Sequence, residues 1–220
     1  MKNWVFLFLF PLYATAQEKR LDTIFLAQKG PIATRFSGVL LVAENGKPIY
    51  QKATGYREFA GEIPLKETDI FELASVSKQF TAMIIMMLKE KNLLQYDDLL
   101  EKYISLPYKK ITIRNLLTHT SGLPDYHDVM DKYWDKNNVA GNADCIQYLN
   151  QYAPPKRFEP GEKYEYSNTG FLMLASVAEK ITGKDFIELC RKWIFRPVKM
   201  KDTDIRSLNK KAATKNFALG

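Results

Sequence analysis

Two short polar motifs lie far apart in this chain: Ser75 with Lys78, and Tyr166 with Asn168. On a helix, residues three positions apart share nearly the same face, so the Lys78 amine can reach the Ser75 hydroxyl. A serine hydroxyl is a weak nucleophile at neutral pH, and an adjacent amine can activate it by accepting its proton. The spacing therefore has a chemical reason, which is an activated serine at the start of a helix.

The first residues predict export. Lys2 precedes an apolar run over residues 4–13, and small residues follow as far as Ala16. This order is typical of a signal peptide covering residues 1–16, with residues 17–220 as the mature domain. A membrane anchor is the alternative, but a spanning helix needs about 20 apolar residues and this run is shorter and contains Pro11. We expect a periplasmic or secreted protein without stable membrane insertion.

The formal net charge of +7 is spread along the chain, apart from a cluster at Lys210, Lys211 and Lys215. We interpret the excess as solvated surface, with weak attraction to anionic envelope polymers as the alternative. Nucleic acid is not an expected partner, because the chain has no zinc-finger spacing and export removes the usual targets. The two histidines, His119 and His127, are not spaced like helix-borne metal ligands, so we expect no metal.

Cys145 and Cys190 are the only cysteines. Export makes a disulfide chemically permissible. Each cysteine nevertheless lies in an apolar, helix-like sequence that is typical of a core position. We expect two separate buried thiols, with a disulfide as the alternative.

Strands are predicted at the beginning of the chain and helices in its middle. Residues 36–43 and 49–56 have an extended pattern, and Asn45-Gly46 between them supplies the positive φ angles of a type I′ hairpin turn. Apolar residues then recur at helical spacing over residues 75–91. The predicted buried face of this helix comprises Phe80, Met83, Ile84, Met87 and Leu88. Further helices are predicted over 113–118, 144–152, 170–181 and 185–195. The expected fold class is α+β, with a hairpin of an antiparallel sheet and a mostly helical region.

With the second motif and the run LLTHTSGLP at residues 116–124, the chain resembles the serine β-lactamase and penicillin-binding protein superfamily. It is most similar to the branch that contains class C β-lactamases, D-alanyl-D-alanine carboxypeptidases and related esterases. The similar motifs occur in order as far as IFRPVKMKDT at residues 194–203. The resemblance implies a β-lactamase/transpeptidase-like fold. It also implies a serine hydrolase that acts through an acyl-enzyme on β-lactams, D-alanyl peptides or esters.

The resemblance implies a role for each motif residue. Ser75 would be the acylated nucleophile, Lys78 its proton partner and Tyr166 a second general acid or base, while Asn168 would hydrogen-bond the substrate amide. Acyl transfer needs a proton to leave the hydroxyl and another to reach the leaving group. A tyrosine, with an ordinary pKa near 10, acts as a base at neutral pH only if a nearby cation favours its phenolate. Either Lys78 or Tyr166 can be the base, and this chemistry requires no cofactor. The expected partner is a small-molecule or peptidoglycan-derived substrate.

Each motif residue also has a purely structural alternative. Ser75 could be an ordinary N-cap followed by a solvated lysine, Tyr166 a packing or surface tyrosine, and Asn168 an N-cap. Ser77 is expected to be structural. His119 suggests a Ser-His pair, but packing or loop hydrogen bonding is favoured because the family transfers protons without histidine. Candidates for lining the cleft are Asp125, Tyr126 and His127.

One motif of the family is missing. A Lys or His two residues before a glycine should follow Asn168, but Gly170, Gly183 and Gly220 are preceded at that position by Asn168, Ile181 and Ala218. In the family, the strand with this motif supplies one oxyanion-hole donor, and loss of such a donor costs on the order of a hundred-fold in rate. We therefore expect an incomplete, weakly active domain whose C-terminal sheet strands are missing. A non-catalytic penicillin-binding or sensor protein and an inactive truncated product are the alternatives.

Overall fold

The computed structural model describes residues 19–24, 36–206 and 214–218. These residues fall into two compact units. The N-terminal unit draws on residues 1–72 and 209–220, and the helical unit on residues 73–208. The predicted signal peptide, residues 1–16, and two lysines of the basic cluster, Lys210 and Lys211, lie outside the described residues.

The N-terminal unit contains the predicted hairpin. Strand β1 (Gly38–Glu44) pairs antiparallel with β2 (Lys47–Thr54), and the register shifts between Val42 and Ala43. Asn45 and Gly46 have φ angles of 50° and 75°. Positive φ at both central residues is the requirement of a type I′ turn, so the predicted turn is confirmed.

Two features of this unit were not predicted. Strands β3 (Tyr56–Glu58) and β4 (Ile63–Pro64) form a second small antiparallel sheet. Ile70 forms a parallel bridge with Phe217, near the end of the chain. Strands of two or three residues and a single bridge are too short to leave a period-two pattern in the sequence.

Within its described residues, the helical unit contains six α-helices. Their bounds are α1 (Lys78–Glu90), α2 (Ile113–Leu117), α3 (His127–Tyr133), α4 (Asn142–Tyr152), α5 (Asn168–Thr182) and α6 (Phe186–Cys190). Two 3₁₀ turns, Ala74–Ser77 and Leu100–Lys102, and a π-helical turn, Arg191–Phe195, complete the unit's helical elements. With the small antiparallel sheets, these helices give the α+β fold class that the sequence predicts. Helix α3 was not predicted, and the single helix expected over 185–195 changes to π-helical geometry at Arg191.

Helices α1 and α5 both contribute fully buried residues to the core of the helical unit. Ile84 and Leu88 on α1, and Met173 and Val177 on α5, are fully buried. The predicted buried face of α1 is therefore correct at Ile84 and Leu88. It is wrong at Met83, which is 46% exposed.

Cys145 and Cys190 are both free and buried, which confirms the expected separate thiols. Burial raises the pKa of the Cys145 thiol to about 11 and that of the Cys190 thiol to about 12. In the part of the chain that the structure describes, no helix is both long enough and apolar enough to cross a bilayer.

Candidate active site

The serine of the first motif lies in the 3₁₀ turn that precedes α1, so the α-helix begins three residues later than predicted. Ala74, directly before Ser75, has a φ of 44°. A residue with a Cβ pays on the order of 1 kcal/mol or more for this left-handed conformation. Ser77 donates a hydrogen bond from its hydroxyl to the Ala74 carbonyl over 2.6 Å, which is the structural role expected of it. The turn leaves Ser75 exposed to solvent.

Lys78 is the first residue of α1 and joins the two motifs. Its Nζ donates to the Ser75 hydroxyl over 3.1 Å and to the Asn168 side-chain oxygen over 2.8 Å. The i to i+3 spacing thus brings the amine to the hydroxyl, as the sequence predicts. The alternative of a freely solvated lysine is wrong.

Tyr166, 91 positions after Ser75 in the sequence, contacts the serine directly. Its hydroxyl donates to the Ser75 oxygen over 2.5 Å, and the Lys78 Nζ lies 4.8 Å from its ring centroid. The Lys78 amine and then the Ser75 hydroxyl lower the pKa of the Tyr166 phenol, against a smaller raising effect of burial. The tyrosine is 47% exposed, so a molecule from solvent can reach this hydroxyl pair.

Asn168 is the first residue of α5, not its N-cap. The N-cap is Ser167, whose hydroxyl accepts a hydrogen bond from the Gly170 N–H over 3.1 Å. The alternative of an N-cap at Asn168 is therefore wrong by one residue. Because Ser167 caps the helix, the Asn168 amide remains available to bind Lys78.

His119 lies beside these residues, and within the described part of the chain it makes no hydrogen bond to Ser75. Its Nδ1 accepts a hydrogen bond from the Ser167 N–H over 3.1 Å, and its ring stacks on Tyr166 with centroids 4.7 Å apart. Burial and then the Lys78 charge lower the pKa of this imidazole. The expected loop hydrogen bonding and packing are confirmed, and the geometry does not favour a Ser-His pair.

A pocket open to solvent adjoins Tyr166. Its lining comprises Leu123, Asp125, Arg157, Phe158, Glu165, Tyr166 and Ser167. Of the three cleft candidates, Asp125 is in this lining. Tyr126 instead donates its backbone N–H to the Thr169 hydroxyl over 2.8 Å, and His127 begins α3.

Sequence reasoning missed three residues of this lining, Arg157, Phe158 and Glu165, and Arg157 joins charged groups from two segments. Its guanidinium lies 3.1 Å from a Glu165 carboxylate oxygen and 3.3 Å from an Asp128 carboxylate oxygen. These partners are 8 and 29 positions away in sequence, so no local motif connects them. Among the residues that the structure describes, no group of three or more His, Cys, Asp or Glu side chains could hold a metal ion.

Comparison with known proteins decides the family. The family model described as Beta-lactamase matches residues 26–216 of this chain. The chain belongs to the β-lactamase family. This membership confirms the resemblance that the ordered motifs indicate.

Two family relatives are penicillin-binding proteins. Penicillin-binding protein 4* of Bacillus subtilis (strain 168) is 40% identical over 192 residues, which are 86% of this chain and 42% of that protein. The chain thus spans less than half the length of this relative. The crystal structure of a penicillin-binding protein from Bacillus halodurans matches with a TM-score of 0.73 at 30% identity, over 88% of this chain and 61% of that one.

A further structural neighbour has a different description. The structure titled EstCE1, a hydrolase with promiscuous acyltransferase activity, matches with a TM-score of 0.68 at 25% identity, over 82% of this chain and 50% of that one. The same scaffold is therefore shared by proteins described as penicillin-binding and as acyl-transferring. Fold alone does not choose between their substrates.

Proposed function

We propose that this chain carries the acylation machinery of an exported serine hydrolase that forms an acyl-enzyme at Ser75. The observation that carries the proposal is the convergence on one exposed hydroxyl: the Lys78 Nζ lies 3.1 Å and the Tyr166 hydroxyl 2.5 Å from the Ser75 oxygen. A nucleophile within hydrogen-bond reach of two groups that can exchange protons is the arrangement that acyl transfer requires. The export part of the proposal rests on the composition of residues 1–16.

Tyr166 is the better candidate for the base. Lys78 donates to both Ser75 and Asn168, and its charge lowers the pKa of the phenol beside it. In the proposed step, a Tyr166 phenolate takes the Ser75 proton as the serine oxygen bonds to the substrate carbonyl carbon. The carbonyl carbon then loses its bond to the leaving nitrogen or oxygen, which takes the proton from the phenol. Water releases the acyl group in a second, equivalent step.

The substrate classes we propose are β-lactams, D-alanyl peptides and esters. Relatives described as penicillin-binding proteins support β-lactams, and a neighbour described as a hydrolase with promiscuous acyltransferase activity supports acyl transfer. D-alanyl peptides and esters are proposed from the resemblance of the motifs to the family. These substrates have an acyl carbon bonded to a nitrogen or oxygen leaving group, so the same three side chains suffice. No residue in the proposed step requires a cofactor.

We further propose that the 220 residues by themselves hydrolyse their substrates only slowly. The chain has no Lys-x-Gly or His-x-Gly sequence after Asn168, so one of the family's oxyanion-hole donors is not supplied by that motif. The lost donor would slow both acylation and release of the acyl group, each by about a hundred-fold or more. The expected measurement is labelling by a penicillin with only slow hydrolysis of nitrocefin or an activated ester.

A fluorescent penicillin and a fluorescent fluorophosphonate test the proposal together. We expect at least one probe to label the purified chain, and Ser75→Ala to abolish the label. The matched control is Ser77→Ala, because Ser77 is two residues away and its hydroxyl bonds only the turn's own backbone. We expect Ser77→Ala to retain labelling.

The outcomes separate the alternatives. Labelling that depends on Ser75, with measurable turnover, supports the hydrolase. Stable labelling without turnover favours the non-catalytic penicillin-binding protein. If neither probe reacts with the folded chain, the proposed acylation machinery is inactive in it.

A further inference from the structure

We propose that His119 is the positioning residue that fixes Tyr166 against Ser75, and that it does so only as a neutral imidazole. This inference rests on the proposed function for its kinetic consequences. Its structural content can be tested without any reaction.

His119 holds the second motif at two points. Its Nδ1 accepts the Ser167 N–H over 3.1 Å, and its backbone carbonyl accepts the Glu165 N–H over 2.9 Å. Ser167 and Glu165 are the two chain neighbours of Tyr166. One residue therefore anchors the backbone on both sides of the tyrosine, which limits the positions that the phenol can adopt.

The imidazole also fixes the plane of the tyrosine ring. The two rings stack at an interplanar angle of 29°, and the imidazole lies 5.1 Å from the Phe171 ring and 5.9 Å from the Tyr164 ring between centroids. An aromatic ring held on several sides by other rings has few orientations available. The two hydrogen bonds of His119 therefore fix the position of the Tyr166 backbone, and the stack fixes the orientation of the Tyr166 ring.

The backbone of His119 is itself in a strained conformation. Its φ is 56°, in the left-handed region. The next residue holds this turn in place, because the Thr120 N–H donates to the Asn115 carbonyl over 2.9 Å and the Asn115 amide donates to the Thr120 hydroxyl over 3.0 Å. Strain of this kind persists where the surrounding structure enforces it, and it is concentrated at functional sites.

The hydrogen bond from Ser167 requires a bare lone pair on Nδ1. A neutral histidine can accept there only as the Nε2–H tautomer, whereas a protonated imidazole has no acceptor. Among the described residues, the Tyr164 and Tyr166 rings contact His119 and the Lys78 charge acts on it, so protonation would also place a second cation near Lys78. Burial and Lys78 lower the pKa of His119, which keeps the ring neutral at physiological pH.

Two variants separate the acceptor from the ring. His119→Asn keeps an acceptor near the Nδ1 position, tolerates positive φ and has no ring. His119→Phe keeps a ring and has no acceptor. We expect His119→Phe to slow labelling of Ser75 about tenfold or more, and His119→Asn, which loses only the stacking ring, to slow it clearly less than His119→Phe. The control is His127→Asn, at the other histidine, which we expect to label normally.

The pH profile gives a readout that a packing role would not change. Protonation of the Tyr166 phenolate lowers labelling in both chains as pH falls. In the unaltered chain, labelling should show a second, more acidic fall below the ordinary histidine range, because protonation of His119 removes the anchor, and in His119→Asn this second fall should be absent. A second fall that persists unchanged in His119→Asn would overturn the proposal, as would normal labelling by His119→Phe.

Nitrogen NMR of the imidazole tests the inference even if no probe labels the chain. We expect the His119 signals, assigned by their loss in His119→Asn, to show the Nε2–H tautomer and a pKa below 6.5. An Nδ1–H tautomer at neutral pH would overturn the proposal. If His119→Phe does not fold, the tautomer of His119 and the pH profile of His119→Asn still decide whether the proposal holds. If the chain shows the expected tautomer but no labelling, the result counts against the proposed function alone.

Discussion

At the scale of single residues, the site depends on how one lysine charge is shared. The Lys78 Nζ has two hydrogen-bond acceptors, Ser75 and Asn168, and lies above the Tyr166 ring. A cation held in this position favours the phenolate over the phenol. The same cation disfavours a second positive charge on His119. The lysine thereby pushes a phenol and an imidazole toward the protonation states that the proposed step uses.

Removing this charge should raise the pKa of Tyr166. In Lys78→Met, the phenol loses its main stabilising neighbour, so its pKa should move up toward 10. The rise of labelling with pH should shift in the same direction, because the phenolate forms at higher pH. Carbon-13 NMR of labelled tyrosines, with Tyr166→Phe for assignment, measures the shift.

The matched control for this variant is Lys89→Met. Lys89 also lies over a tyrosine ring, 5.3 Å from the centroid of Tyr96, but its tyrosine is not Tyr166. The Tyr166 pKa should be unchanged in Lys89→Met. An unchanged Tyr166 pKa in Lys78→Met would show that the lysine does not tune the phenol.

At the scale of elements, the segment after α2 must pass very close to the segment before α5. Gly122 has a φ of 67°, and its carbonyl accepts the Arg157 N–H over 2.9 Å. A Cβ at this position would overlap the Phe158 carbonyl oxygen. The close approach is what allows His119, on one segment, to hydrogen-bond the residues around Tyr166 on the other.

Gly122→Ala should therefore destabilise the fold by more than its backbone angle explains. Gly183→Ala is the matched control, because Gly183 has nearly the same φ, 65°, but open space where a Cβ would lie. The control should cost about 1–2 kcal/mol for the left-handed conformation. Gly122→Ala should cost a further ~1–3 kcal/mol for overpacking, measured by urea unfolding. Equal losses in the two variants would contradict the close approach.

At the scale of the whole molecule, the described cysteines belong to the core. Cys145 and Cys190 are buried with thiol pKa values of about 11 and about 12, so little thiolate exists at pH 8. A thiol reagent at pH 8 should modify neither cysteine in the folded chain and both after denaturation. Rapid modification in the folded state, or fewer than two thiols after denaturation, would contradict this account.

Much of the fold could be predicted because its signals are local. The Asn45-Gly46 turn, the apolar period of α1 and the glycine after α5 each act within a few residues. Helix α3 escaped prediction because HDVMDKY is short and largely polar, with only Val129 and Met130 buried. The Ile70–Phe217 bridge escaped because pairing across such a separation is set by tertiary contacts.

The same difference between local and long-range signals applies to the candidate site. Ser75 and Lys78 could be predicted from their spacing, and Tyr166 and Asn168 from the second motif. Ser167 was missed as the cap, because Asn168 beside it is an equally favourable N-cap residue. The role of His119 as the anchor could not be predicted, because its partners Ser167 and Glu165 lie far from it in sequence.

The most direct test of the central claim is to find which residue an activated-serine probe modifies. After reaction with a fluorophosphonate and digestion with trypsin, the added mass should lie on the peptide of residues 67–78, at Ser75. It should disappear in Ser75→Ala and remain in Ser77→Ala. It should form at least tenfold more slowly in Tyr166→Phe and in Lys78→Met, where loss of the cleavage site extends the peptide to Lys89. An unmodified 67–78 peptide from the folded chain, or a Ser75 adduct that forms equally fast without Tyr166 and Lys78, would contradict the account.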